Sequence, residues 1–151
     1  MSTKSTVDGL TSLVGSELGV SDWLEISQER IQTFADATDD QQWIHVDPER
    51  AAAGPFGAPI AHGYLTLSLL VPLFAQVFTV TDAVMGVNYG LNKARFPSPV
   101  PVGSRIRLRA AVAGAEEVAG GVQVSVDCTV EIEGAAKPAC VAQAIYRWYR
   151  G

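Results

Sequence analysis

The stretch Tyr64–Val80, YLTLSLLVPLFAQVFTV, decides the fold predicted for this chain, because it is the first sustained apolar run in the sequence. It is shorter than the roughly 20 apolar residues that a membrane span needs. Polar or helix-breaking residues also interrupt it, namely Thr66, Ser68, Pro72 and Gln76. We therefore expect one long helix that begins near Ile60–Gly63. Because it is apolar nearly all round, it should be enclosed by the rest of the chain.

The second half of the chain supplies the strands that would enclose this helix. In Val122–Ile132, apolar and polar residues alternate, which indicates a strand with one dry and one wet face. Arg105–Ala110 alternates in the same way, and Gly120-Gly121 suits a hairpin turn between the two. Ala83–Phe96 and Ala139–Tyr149 are further strand candidates. The prediction is an α+β fold, with a long central buried helix wrapped by a curved antiparallel β-sheet.

Shorter elements are predicted before the long helix. Glu17–Leu24 suits an edge strand, and the apolar spacing in Gln28–Thr38 favours an amphipathic helix. Asp47-Pro48 provides an N-cap followed by a proline in the first turn, so a short helix should run through Ala53. The prolines and glycines of Gly54–Pro59 then require a loop. The first ten residues are expected to be disordered.

Composition limits the classes of function. The chain has 151 residues, 48% hydrophobic and 18% charged, which suits one soluble domain over residues 1–151. Eleven basic and sixteen acidic residues give a net charge of −5, which argues against a nucleic-acid or membrane partner. The start, MSTKSTVDGL, lacks the apolar core of a secretion signal, so we expect a cytoplasmic protein. Cys128 and Cys140 are expected to be buried free thiols, and two histidines give no familiar zinc spacing.

Both histidines, His45 and His62, fall in the loop-rich part of the chain, where functional residues concentrate. Asp40 precedes His45 by five residues, so a turn between them would let both side chains face one cleft. A carboxylate and an imidazole that share a water can act as general base and acid. The alternative is structural: a partly buried histidine bonded to backbone and a turn-forming aspartate.

His62-Gly63 stands where the long helix is expected to begin. A glycine there would let a ligand carbonyl approach a free backbone N–H at the positive end of the helix. Gly63 is thus a candidate oxyanion donor. Alternatively, Gly63 gives room for close packing against a strand, and His62 anchors the loop.

Two blocks carry a resemblance to a known family. Phe34–Pro48, FADATDDQQWIHVDP, resembles the hydratase motif of the R-specific enoyl-CoA hydratases, in the MaoC-like dehydratase family. Ala58–Leu65, APIAHGYL, is similar to that family's second block. The resemblance implies a single hot-dog fold, the architecture indicated above, and a homodimer that covers the exposed edge of the sheet.

The resemblance also implies catalytic roles. Asp40 and His45 would position the water that adds to C3 of a trans-2-enoyl thioester, and the backbone N–H of Gly63 would polarise the thioester carbonyl. The reaction implied needs no metal and no redox cofactor, and coenzyme A or an acyl-carrier phosphopantetheine arrives as part of the substrate.

Seven further residues are candidate substrate contacts: Gln42, Trp43, His62, Tyr64, Ser68, Lys93 and Arg95. Gln42-Trp43 departs from the Asn-Pro usual in the family. Val71 stands where the family has a serine on the buried helix, with Ser68 one turn earlier as a stand-in. Lys93 and Arg95 are candidates for contact with the CoA phosphates.

The function expected is therefore an R-specific enoyl-CoA hydratase, which reversibly forms (R)-3-hydroxyacyl-CoA in fatty-acid metabolism. The nearest alternative is a hot-dog acyl-CoA thioesterase, which would direct its water at the thioester carbon. A non-catalytic acyl-CoA-binding or partner subunit is the alternative from another class, although the presence of both Asp40 and His45 argues against it.

Overall fold

The computed structural model describes residues 2–151, and its N-terminal segment differs from the expectation of disorder. Strand β1, Thr3–Ser5, pairs in parallel with Phe78–Val80. A 3-10 helix, Leu10–Leu13, follows, and both Val7 and Leu10 are fully buried. The sequence prediction overlooked these two apolar side chains, whose burial offsets the entropy lost on ordering the segment.

The next elements agree with the sequence prediction. Strands β2, Glu17–Val20, and β3, Leu24–Glu25, lie where an edge strand was expected. Helix α1 spans Gln28–Thr38, and the Ser27 side chain accepts the Arg30 N–H at its start. Helix α2 is Trp43–Val46. Helix α3, Pro48–Ala52, begins as predicted, with the Asp47 carboxylate accepting the Arg50 N–H.

The prediction of one long helix up to Val80 was wrong in its details. The segment forms α4, Gly63–Ser68, and α5, Leu70–Val77, joined through Leu69, and then strand β4, Phe78–Val80. Pro72 has no N–H to donate to the Ser68 carbonyl, which accounts for the break. β4 leaves the helix because it pairs with β1.

The prediction that this helix is enclosed on all sides was also wrong. One face is buried against the sheet, through Leu65, Leu69, Leu70, Leu73, Phe74 and Val77. The opposite face is exposed, at Tyr64, Ser68, Val71, Pro72 and Ala75. A helix with few polar residues therefore presents an apolar surface outward.

Four long strands complete the fold: β5, Met85–Arg95; β6, Arg105–Val118; β7, Gly121–Ile132; and β8, Cys140–Tyr149. The antiparallel sheet has the order β2-β6-β7-β8-β5, and β3 also pairs with β6. The predicted hairpin between β6 and β7 is confirmed. It turns at Gly120, whose φ of +79° favours glycine.

The core lies between one face of this sheet and helices α4 and α5. Alternate residues of β7 are buried from Val122 to Ile132, as predicted, while their neighbours are partly or fully exposed. Register shifts in β5 and β6 mark bulges, which increase the twist of the strands. Cys128 and Cys140 are buried free thiols. Among residues 2–151, no helix is long and apolar enough to cross a membrane.

Candidate active site

Asp40 lies in the turn that follows α1. The helix ends at Asp39, whose left-handed backbone (φ 59°, ψ 24°) aspartate tolerates better than most residues. The backbone N–H groups of Asp39 and Asp40 both donate to the Ala35 carbonyl. The Asp40 side chain is exposed, and its carboxylate makes no hydrogen bond within residues 2–151. It is free to accept a proton or a hydrogen bond from a ligand.

His45 lies on α2 and is 7% exposed. Its Nδ1 is 2.7 Å from the main-chain oxygen of Ile60. A carbonyl oxygen only accepts, so Nδ1 carries the proton and donates, and Nε2 of the neutral ring is left as an acceptor. Burial lowers the pKa of His45 below its ordinary value, and the nearby His62 lowers it further, against the opposing effects of the Ile60 hydrogen bond and Asp40.

The structure brings Asp40, His45 and His62 together. One carboxylate oxygen of Asp40 and one ring nitrogen of each histidine lie within 4.8 Å of one another. The two imidazoles are stacked, with ring centroids 3.9 Å apart. Hydrogen bonds to water span about 2.8 Å each, so a single water can bridge groups at this separation.

These three side chains are also a possible metal-ligand set. His45 Nδ1 and His62 Nε2 each face a main-chain carbonyl, at 2.7 and 3.0 Å, which leaves His45 Nε2 without a main-chain partner, while His62 Nδ1 is buried. Carboxylate and imidazole ligands suit several divalent ions. The absence of a metal requirement stays a prediction.

Gly63 is the first residue of α4, as its candidate role requires. In the described part of the chain its backbone N–H has no acceptor, as expected in the first turn of a helix. A Cβ at this position would lie 3.1 Å from the Phe96 ring, so close packing also favours glycine here. Both sequence interpretations of Gly63 are therefore compatible with its surroundings.

The loop before Gly63 is held by the segment that follows β5. The Ala61 N–H donates to the Val100 carbonyl, and the Val102 N–H donates to the Pro59 carbonyl, both at 2.8 Å. Ile60, whose carbonyl accepts the hydrogen bond from His45 Nδ1, lies between these two bonds. The partner of His45 is thus placed by main-chain pairing rather than by a side chain.

Gln42 and Trp43 lie at the start of α2. The Gln42 carbonyl accepts the backbone N–H groups of His45 and Val46, while its exposed side chain does not cap the helix. The Arg50 guanidinium lies over the Trp43 ring, 4.4 Å from the ring centroid, and Trp43 also packs against Gly54. At the position where the family has proline, this chain has Trp43, and the packing of its side chain fixes the start of α2.

The remaining predicted contacts are spread over a wider surface. His62 was expected to contact substrate, but it is only 2% exposed. Tyr64 is 71% exposed and lies edge-on to Phe96. Ser68 donates to the Tyr64 carbonyl within its own helix. Lys93 and Arg95 are exposed on β5 and lie outside the Asp40–His45 cluster.

A cleft of about 360 Å³ runs from α4 and α5 to β5 and β8. Its lining includes Ser68 and Val71 on the helices and Asn88 and Leu91 on β5. Val71, at the position of the family's serine, is 55% exposed on this face. The cleft is mostly apolar, which suits an aliphatic chain, and it is open to one side.

Sequence reasoning missed three residues of the site. Ile60 provides the carbonyl for His45, Phe96 covers Gly63, and Phe34 packs against the His62 ring at 4.9 Å. The Ile60 contact is made by backbone, so no residue type in the sequence could indicate it. The two aromatic contacts join segments that are far apart in the chain.

Comparisons with known proteins agree with this architecture. The family model described as "MaoC like domain" matches residues 10–133. A protein of Mycobacterium tuberculosis named 3-hydroxyacyl-thioester dehydratase Z is 56% identical over 98% of this chain and 99% of its own. Nodulation protein N of Rhizobium meliloti is 47% identical, over 93% of this chain and 89% of its own.

Among solved structures, the unliganded R-hydratase PhaJ1 from Pseudomonas aeruginosa superposes with a TM-score of 0.74 and 24% identity, covering 91% of this chain and 83% of its own. At this identity the likeness shows the fold alone, and it confirms the predicted hot-dog fold. The family match covers most of the chain, and the 56% identity extends over nearly all of it. The chain therefore belongs to the MaoC-like dehydratase family, and it is an enzyme of the hydro-lyase class.

Proposed function

We propose that the chain is an R-specific enoyl-CoA hydratase, which reversibly adds water to a trans-2-enoyl thioester to give the (R)-3-hydroxyacyl thioester. The observation that carries the proposal is the arrangement of Asp40 and His45. Their carboxylate oxygen and ring nitrogen lie within 4.8 Å, and the bond to Ile60 leaves His45 Nε2 as an acceptor. The dehydratase relative from M. tuberculosis supports the same reaction class.

In the proposed mechanism, Asp40 and His45 accept hydrogen bonds from one water. The water oxygen attacks C3 of the enoyl group while one of its protons is removed by this pair. The pair then gives this proton to C2 and returns to its starting state, so that overall a hydroxyl group and a hydrogen are added across the double bond. The lowered pKa of His45 supports this role, because a neutral imidazole is the form that accepts a proton.

Gly63 is proposed to stabilise the negative charge that develops on the thioester oxygen. Its N–H lies at the start of α4 without another acceptor in residues 2–151. Such a donor is already oriented before the reaction and interacts more strongly with the enolate-like oxygen than with the ground-state carbonyl. The same donor would serve dehydration, since the reverse reaction passes through the same charge distribution.

The substrate is proposed to enter with its acyl chain in the cleft that contains Ser68 and Leu91. Gln42, Trp43 and Tyr64 would shape the entrance around the reacting carbons. Lys93 and Arg95 are exposed cations on β5, and Phe96, next to Arg95, packs over Gly63. We propose that these two cations meet the CoA phosphates. Hydration is not a redox reaction, so the proposed reaction requires no redox cofactor. Coenzyme A enters the site as part of the thioester substrate.

We further propose that two copies of the chain assemble into a homodimer. β5 pairs with β8 on one side and forms an edge of the sheet on the other. Met85, Tyr89 and Leu91 on this strand are each about half exposed. An exposed apolar edge strand favours pairing with another chain. A second copy would also close the open side of the cleft.

The test is the loss of ultraviolet absorbance of a trans-2-enoyl-CoA on addition of the purified protein, followed by chiral analysis of the product. We expect formation of the R alcohol. Asp40→Asn and His45→Gln should each lower kcat by about 100-fold or more, in the range found for general acid–base groups. Asp40→Asn should keep the thermal unfolding midpoint, because Asp40 is exposed. His45→Gln retains a donor near Ile60 but loses the stacking on His62, so its midpoint should fall while the protein stays folded.

Asp39→Asn is the matched control, since it makes the same chemical change one residue away and asparagine also tolerates the left-handed backbone. It should remain active. Release of free thiol from acyl-CoA, without hydration, would instead identify a thioesterase. Binding of acyl-CoA without either reaction would identify a non-catalytic subunit.

A further inference from the structure

His62 occupies a position that joins the three groups proposed to carry out the hydration. It is the residue immediately before Gly63, and its ring is 2% exposed. One face of the ring stacks on His45 at 3.9 Å, and Phe34 packs at 4.9 Å. This burial leaves the side chain little surface with which to contact a substrate.

The His62 ring also binds the main chain of Asp40. Its Nε2 is 3.0 Å from the Asp40 carbonyl oxygen, across 22 positions in the sequence. Because a carbonyl can only accept, Nε2 carries the proton and donates it. In the described residues, the other hydrogen bond of the Asp40 backbone goes to Ala35, within the same turn. The His62 bond is therefore the one that ties this turn to the start of α4.

The surroundings of the second ring nitrogen, Nδ1, indicate that the hydrogen bond from Nε2 to Asp40 is important. Nδ1 of His62 is buried and has no hydrogen-bond partner in residues 2–151. A buried polar atom without a partner is unfavourable, and an apolar ring of similar shape would avoid it. With Nε2 committed to Asp40 and Nδ1 inaccessible, His62 is also poorly placed to transfer protons with a substrate. What the histidine adds over an apolar ring is the Nε2–H donor.

We propose that His62 is a positioning residue of the hydration reaction, whose Nε2–H holds the Asp40 main chain in register with the Gly63 amide. Asp40 has no side-chain hydrogen bond in the described chain, so the placement of its carboxylate depends on its backbone. Stacking on His45 adds a second contact from the same ring. The inference rests on the proposed function, since it assigns His62 a role in that reaction.

Two substitutions separate the donor from the ring. His62→Phe keeps an aromatic ring against His45 but removes the N–H, together with the unpartnered nitrogen. His62→Gln removes the ring but keeps an amide N–H close to the position of Nε2. The measurements are kcat and KM for hydration of a trans-2-enoyl-CoA, and the thermal unfolding midpoint of each variant.

We expect His62→Phe to lower kcat by about tenfold to 100-fold, because a displacement of the order of 1 Å has effects of this size. Its KM should change by less than about threefold and its unfolding midpoint should not fall, since substrate binding and packing are retained. His62→Gln should retain kcat within about threefold, although loss of stacking lowers its unfolding midpoint. His62→Phe would then be the less active but more stable variant, and His62→Gln the more active but less stable one.

A His62→Phe enzyme with wild-type kcat would overturn the proposal. So would a folded His62→Gln protein whose kcat falls by about tenfold or more, and this outcome is decisive even where His62→Phe does not fold. Asp40→Asn, measured in parallel, separates this inference from the proposed function. Full activity of Asp40→Asn would remove the proposed function, whereas an inactive Asp40→Asn beside a fully active His62→Phe would remove the role of His62 alone.

In an Asp40→Asn background, His62→Phe should cause little further loss of kcat. Residues that act through one group are non-additive, because the second substitution has no remaining interaction to disturb. Independent losses that multiply in the double variant would contradict the proposal, since they would place the effect of His62 outside Asp40.

Discussion

His45 is set by its surroundings to be neutral and to accept a proton at Nε2. Burial is the largest influence on its pKa and lowers it from the ordinary histidine value of 6.5, and His62 acts in the same direction. The rate of hydration should therefore fall as the pH falls through the pKa of His45, with the inflection below 6.5. A profile of kcat/KM against pH measures the free enzyme's pKa directly. An acid limb with its inflection above 6.5 would contradict this assignment.

Substitution of Gly63 tests whether this glycine is required for packing or for catalysis. An added Cβ would lie 3.1 Å from the Phe96 ring, which is 41% exposed and can shift by a few tenths of an ångström. Gly63→Ala should therefore lower the free energy of unfolding by about 1 kcal/mol, the low end for overpacking. The rate should fall by about tenfold or more, because the methyl group and the displaced ring crowd the proposed carbonyl site.

A second substitution checks this reasoning. Phe96→Leu makes room for the methyl group, so Gly63→Ala/Phe96→Leu should recover stability in chemical denaturation relative to Gly63→Ala alone. If the rate recovers in proportion to stability, Gly63 serves packing, and the oxyanion role is lost. A rate that stays low in the more stable double variant supports the role in catalysis.

At the scale of elements, local signals predicted well and contacts between distant segments did not. Helix α1 was predicted with its observed bounds, because the apolar spacing of Gln28–Thr38 repeats at the helical period. The start of α3 followed from Asp47-Pro48, and the β6–β7 hairpin from alternation and Gly120-Gly121. The break between α4 and α5 was missed although Pro72 is a local signal for it, and β4 was missed because it forms only by pairing with β1.

The candidate site shows the same division. Asp40, His45 and Gly63 could be selected from spacing and from the resemblance, since the motif is contiguous. The Ile60 carbonyl and the His62–Asp40 bond could not, because main-chain acceptors look alike in every sequence. The burial of His62 likewise depends on Phe34 and on the stacked His45, which the fold brings together.

Helix α2 carries His45 and depends on packing at its first residue. With four residues it is too short to be stable alone, and Trp43 holds it against Arg50 and Gly54. A Cβ at Gly54 would lie 2.8 Å from the Trp43 ring, so Gly54→Ala must displace the indole. We expect a loss of about 1–3 kcal/mol in the free energy of unfolding, as for other overpacked sites. Because His45 moves with α2, kcat should also fall.

Trp43→Phe provides the control for this prediction, since a smaller ring leaves room for the methyl group. Gly54→Ala/Trp43→Phe should be more stable than Gly54→Ala in thermal unfolding, and its kcat should move back towards that of Trp43→Phe alone. An unchanged unfolding midpoint in Gly54→Ala would mean that Trp43 does not hold α2 in this way.

For the whole molecule, the apolar surface is concentrated on one side. The outward face of α4 and α5, with Tyr64 and Val71, continues across the cleft onto β5, where Leu91 is exposed. The opposite face of the sheet differs, since arginines of β6 pair with acidic residues of β2 and β7, as Arg109 does with Glu17. A second copy of the chain would cover the first face and leave the second in water.

The assembly is tested by substituting within this face. The chain has a mass of 16.0 kDa, and we expect light scattering to give twice that value. Leu91→Lys places a charge on the edge strand at a side chain that is 45% exposed, so it should weaken dimerisation by about tenfold or more without unfolding the chain. It should also raise KM for the enoyl thioester, because Leu91 lines the cleft that the second copy would close.

Ala136→Lys is the matched control, because Ala136 is exposed in the loop after β7, and this variant should remain dimeric. A wild-type chain that is monomeric and fully active would contradict the homodimer, because the cleft would then bind its acyl chain while open on one side.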